Sequence, residues 1–126
     1  MLRKSLALIV ACVALAACSA AAADSHSCFY MTQFRTWKAA DAKTMYIRVD
    51  PNRTYRLDLA GKCPALLWPD AHLVTTSRGT ATVCSALDWD LKLSETPEGI
   101  TMACTVRQMT ELTPAEAAAL PRKFRP

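Results

Sequence analysis

The sequence predicts a small all-β domain, a barrel or sandwich of about six or seven strands, with a short C-terminal helix and two disulfides. Three observations predict it. Apolar and polar residues alternate in short segments, the period of strands with one face buried. Turn residues recur between those segments, as in "DPNR", "SRG" and "TPEG". Four cysteines, Cys28, Cys63, Cys84 and Cys104, remain once the N-terminal leader is set aside.

The leader comes first in the chain. Met1 to Lys4 is short and positive, and Leu6 to Ala17 is an unbroken apolar run. That run is shorter than the ~20 residues a spanning helix needs, and it has the form of a secretory signal. Two cleavage sites compete. Ala21-Ala22-Ala23 before Asp24 suits ordinary signal peptidase. Leu15-Ala16-Ala17-Cys18 resembles the bacterial lipobox, and this reading is preferred because all of its positions fit. It makes residues 1–17 a lipoprotein signal peptide and Cys18 the lipidated N-terminus. Several acyl chains give a stable anchor where one gives only marginal binding. Ser19 lacks the aspartate that retains lipoproteins at the inner membrane, so the expected location is the outer membrane, facing the periplasm. Cleavage at Ala23 would instead leave a soluble periplasmic protein. Cys12 falls within the discarded run, where cysteine is a small apolar residue.

Residues 18–27 are alanine, serine and little else, and read as a flexible tether. The folded domain is expected over 28–121. Phe29 to Trp37 is a first strand. Met45, Ile47 and Val49 then share one face, Asp50-Pro51-Asn52-Arg53 turns the chain, and Tyr55, Leu57 and Leu59 share the next face, which makes a hairpin. Leu73 to Thr76 and Thr80 to Cys84 flank Ser77-Arg78-Gly79, a second predicted hairpin with Gly79 at positive φ. Trp89, Leu91 and Leu93 alternate with polar neighbours, Thr96-Pro97-Glu98-Gly99 turns, and Ile100, Met102, Cys104 and Val106 share a face in the following strand. Thr113-Pro114-Ala115-Glu116 combines a capping box with proline at the first helical position, so a helix starts there and stops at Pro121. Residues 122–126 form a basic tail, expected to be frayed.

Four cysteines in an exported domain read as two disulfides. Their wide spacing, without a C-x-x-C pair, argues against a zinc site or a redox motif. Spacing permits three pairings; the one expected is Cys28–Cys104 with Cys63–Cys84, stapling the chain ends and enclosing the middle separately.

Charge excludes one class of function. The net +4 comes from the two ends, because Cys28 to Pro121 holds ten basic and ten acidic residues. A neutral folded part does not present a nucleic-acid-binding face. Candidate chemistry is sparse. His72 is the one histidine in the predicted domain, and Asp88 and Asp90 share a predicted strand face. The two aspartates could bind calcium or act as an acid–base pair, though no third oxygen-rich cluster supports that, and a hydrolytic site would need them to converge with His72; a solvent-facing strand edge is the simpler reading. No cofactor or metal is expected. Trp37, Trp68 and Trp89 serve either a core or a ligand cleft.

Four segments, "SCFYMTQFRTW", "YIRVDPNRTYRLDLAGKCPALLW", "SRGTATVCSALD" and "ACTVRQMTELTPAEAAALPRKFRP", resemble in order and spacing a bacterial envelope family, domain of unknown function 6491. "LTPAEAAALP" is the most specific part, and "CSALDWD" departs from relatives that have a glycine-containing turn there. The resemblance implies a small exported protein or lipoprotein of proteobacteria and supports the domain limits and the cysteine framework. It brings no activity, cofactor or partner. The functional expectation is therefore a non-enzymatic binding or assembly module, tied to the membrane through its lipid and meeting an envelope protein or glycan. The alternative is an inhibitor of a cell-wall hydrolase, by analogy of format alone.

Overall fold

The computed structural model describes residues 28–77, 79 and 81–126. The expected signal peptide 1–17, the lipidation at Cys18 and the tether 18–27 lie outside the described residues. In chain order the strands are β1 (Phe29–Tyr30), β2 (Phe34–Ala39), β3 (Thr44–Val49), β4 (Arg53–Leu59), β5 (His72–Leu73), β6 (Thr76–Ser77), β7 (Thr82–Val83), β8 (Trp89–Asp90), β9 (Lys92–Ser94), β10 (Met102–Ala103) and β11 (Val106–Leu112). One α-helix, α1 (Pro114–Ala119), follows. The strands form sheets ordered β11-β4-β3-β2, β10-β9-β5, β1-β7 and β6-β8. The fold is all-β and sandwich-like, with no closed barrel among the described residues.

The predicted hairpin is the frame of the largest sheet. Strands β3 and β4 pair antiparallel with Met45 opposite Leu57 and Ile47 opposite Tyr55. Strict alternation puts Met45, Ile47, Val49, Tyr55, Leu57 and Leu59 on one face, and all six are buried. Phe29, Val83, Trp89 and Leu93 from the smaller sheets, with Leu91 between β8 and β9, complete the core on that face. The ring of Phe29 packs 5.2 Å from that of Tyr55 and 6.0 Å from that of Trp89. The Trp89 indole N–H meets the Met109 sulfur at 3.2 Å, which ties this layer to β11.

Four expectations are corrected. The segment Phe29 to Trp37 is broken by a 3-10 turn over Met31–Gln33, because the Gln33 side chain accepts the Tyr30 N–H at 2.9 Å and turns the chain. The second hairpin does not form. Gly79 has the expected positive φ of 82°, but β5 pairs with β9, β6 with β8 and β7 with β1. The tail is folded rather than frayed: Arg122–Phe124 makes a 3-10 turn, and the Arg125 guanidinium donates to the carbonyls of Leu120, at 2.8 Å, and Ala118. Those are carbonyls that the end of α1 leaves without helical partners. The capping box that starts α1 is present as expected, with Thr113 Oγ1 accepting from Glu116 N at 3.2 Å and Glu116 accepting from Thr113 N at 2.8 Å.

The fourth correction concerns the bridges, which are Cys28–Cys84 and Cys63–Cys104. Strand register accounts for both. Phe29 opposes Val83 in the β1–β7 pair, so the next position outward sets Cys28 beside Cys84, with Cα atoms 4.1 Å apart. Leu59 opposes Val106 at the end of β4–β11, and the Ala60 N–H donates to the Thr105 carbonyl at 2.9 Å beyond it. Cys63 and Cys104 follow on either side of that exit. The two closed loops interleave along the chain instead of nesting.

Candidate functional site

The two aspartates expected to carry chemistry are committed to the fold. Asp88 is not on a strand: it ends a 3-10 turn, Ala86–Asp88, capped by Ser85. Its carboxylate accepts the N–H groups of Cys84 and Ser85, both at 2.9 Å, and the Ser85 hydroxyl at 3.3 Å. Those bonds, the one from Cys84 first, hold its carboxyl below the ordinary range. Asp90 lies in β8 and pairs with Lys92 at 2.9 Å, so the two aspartates do not share a strand face. His72 is exposed in β5, opposite Ser94. Among the described residues no group of three or more His, Cys, Asp and Glu side chains is placed to hold a metal.

The tryptophans divide between core and cleft. Trp89 is buried in the core, and Trp37 packs against it half-buried. Trp68 also touches the core but lines a groove of about 460 Å³ with Glu95, Thr96, Gly99, Ile100, Thr101 and Met102.

Both walls of this groove are set by local chemistry. On one side, Pro64 opens the 3-10 turn Pro64–Leu67, which buries Ala65 and Leu66 and delivers Trp68 at its end. The Trp68 carbonyl then accepts from Ala71 N at 3.2 Å. On the other side stands the turn after β9. Ser94 is fully buried, and its hydroxyl donates to the Thr96 carbonyl at 2.6 Å. The Gly99 N–H donates to the same carbonyl at 3.0 Å. A Cβ on Gly99 would stand 2.5 Å from Thr96 Oγ1, so any larger residue there must push the Thr96 side chain aside. The braced turn leaves Ile100 95% exposed and Met102 38% exposed. The expected single strand through Ile100, Met102, Cys104 and Val106 is divided: β10 holds Met102 and pairs with β9, β11 starts at Val106 and pairs with β4, and Ile100 precedes β10 outside any strand, so Ile100 and Met102 line the groove rather than the core.

Glu95 is the one charged residue lining the groove among the described residues, and Glu98 in the same turn is exposed. The groove therefore has an apolar wall and an acidic rim. Sequence reasoning named Trp68 as a cleft candidate but attached no role to Glu95 or Ile100. The available signal was an apolar residue directly after a Thr-Pro-Glu-Gly turn, a place that turn geometry projects toward solvent.

These features define the class: a small disulfide-crossed β-sandwich that displays an apolar groove at one end. The chain belongs to the Family of unknown function (DUF6491), whose model matches residues 1–125. No curated protein and no solved structure matches it.

Proposed function

We propose that this protein is a non-enzymatic binding or assembly module of the bacterial envelope, exported and held through lipid on Cys18 at the periplasmic side of the outer membrane. The observation that carries the reading is the groove. Trp68 on one wall, and Met102 with the almost fully exposed Ile100 on the other, line one groove. A groove with an apolar wall and a few polar groups at its rim is the usual form of a binding site. Two disulfides fit an oxidising compartment, and the apolar run and Leu15-Ala16-Ala17-Cys18 supply the export and anchoring signals.

The test is photo-crosslinking in cells, with a photoreactive residue at Ile100 and a control at Leu87, which is also exposed. The expected result is a discrete adduct with one envelope component from position 100. Repeated absence of any protein or glycan adduct from either position would contradict the module reading.

A further inference from the structure

We infer that the groove takes an extended segment of a partner protein as an added strand on the outer edge of β10, with a basic side chain of that segment held at Glu95. The inference rests on the binding-module reading and specifies its ligand chemistry.

The backbone pattern exposes the edge. Met102 opposes Leu93 and Ala103 opposes Lys92 in the β9–β10 pair. The Cys104 N–H donates to the Leu91 carbonyl at 3.0 Å, one pair further along. Directly opposed residues alternate between bonded and non-bonded pairs, so Met102–Leu93 is a bonded pair and Ala103–Lys92 is not. The β5 side of the sheet agrees: Val74 N donates to the Lys92 carbonyl at 2.8 Å, so Lys92 turns its backbone groups toward β5. The N–H and C=O groups of Ala103, and by the same alternation those of Thr101, therefore point away from β9. Both residues are exposed, and β10 is the outermost strand of its sheet.

An edge of this kind is a template for strand addition, with main-chain bonds supplying affinity and alternate side-chain pockets supplying selectivity. A strand added beside β10 sends every second side chain onto the face that Met102 shares with Leu93. That is where Trp68 and Met102 form the groove wall. Glu95 lines the groove, Glu98 stands in the same turn, and among the described residues no lysine or arginine lines it. Charge complementarity therefore selects a lysine or arginine in the incoming segment.

The experiment is affinity selection of a displayed library of random nine-residue peptides on the full-length protein and on two variants. The expected pool alternates apolar residues with lysine or arginine. Ala103→Pro removes the outward N–H but no bond to β9, a position where edge strands tolerate proline. It should weaken the selected peptides about tenfold, the loss of one or two main-chain bonds. Glu95→Lys should turn the preference to acidic peptides, and it keeps the inference testable if Ala103→Pro does not fold. Failure to enrich any peptide, equal binding to Ala103→Pro with no reversal by Glu95→Lys, or enrichment of peptides without alternation would overturn it. So would sedimentation showing that a second copy occupies the edge. If crosslinking from position 100 captures a glycan while no peptide is enriched, the module stands and strand addition falls.

Discussion

The interleaved bridges give the prediction with the largest expected effect. Closing Cys63 to Cys104 spans a sequence separation of 41, and Cys28 to Cys84 spans 56. Loop-closure entropy assigns each bridge about 4 kcal/mol at 25 °C. Two double variants separate the possible pairings. Cys63→Ala with Cys104→Ala removes one bridge and should lower unfolding stability by about 4 kcal/mol. Cys63→Ala with Cys84→Ala takes one cysteine from each bridge and should cost about 8 kcal/mol, comparable with the whole stability of a small domain. Both variants lose the buried Cys63 side chain, so its packing cancels in the comparison. Urea titrations followed by tryptophan fluorescence measure the difference directly. A nested arrangement, Cys28–Cys104 with Cys63–Cys84, reverses the order of the two variants. Finding Cys63→Ala with Cys84→Ala the more stable would refute the register argument.

Three further outcomes are expected. Leu93, fully buried between Leu73 and Met102 on adjacent strands, should cost about 2–5 kcal/mol when changed to alanine, read as a shift in the urea midpoint. Ile100→Ser should change stability by less than about 0.5 kcal/mol because Ile100 is 95% exposed, while weakening binding of the peptides selected on the groove. Asp88 has its carboxyl lowered in the folded state by the Cys84 and Ser85 N–H groups. Its contribution is complete above the ordinary carboxylate pKa of about 3.9 and is lost as pH falls through its lower folded value. Asp88→Asn should therefore flatten the fall in stability below about pH 4 in thermal melts; an unchanged acid slope would contradict the turn's role.

What was legible in the sequence was local. Met45 to Leu59 carries uninterrupted alternation around one turn, and the hairpin, its register and its buried face all follow. Thr113-Pro114-Ala115-Glu116 states a helix start in four residues, and the helix is there. The failures came where short segments chose distant partners. Ser77-Arg78-Gly79 has the chemistry of a turn, and Gly79 takes the expected φ, yet β6 and β7 pair with β8 and β1. Two-residue strands carry too little alternation to specify a neighbour, and the buried packing of Phe29, Val83 and Trp89 decides instead. The bridge error has the same origin, since Cys28 lies beside Cys84 only because β1 pairs with β7. Asp88 was misplaced for another reason: Ser85-Ala86-Leu87-Asp88 is itself a capping box, a signal that alternation with Trp89 obscured. The groove was half legible. Trp68 stood out by residue type, but only the turn braced by Ser94 and Gly99 shows that Ile100 and Met102 face outward beside it.

The measurement that bears most directly on an anchored, disulfide-crossed module is mass spectrometry of the protein extracted from membranes, intact and after non-reducing digestion. The account predicts an N-terminal peptide beginning at Cys18 with lipid mass attached, together with peptides linked Cys28–Cys84 and Cys63–Cys104. An unmodified N-terminus at Asp24, or peptides linked Cys28–Cys104 and Cys63–Cys84, would contradict it.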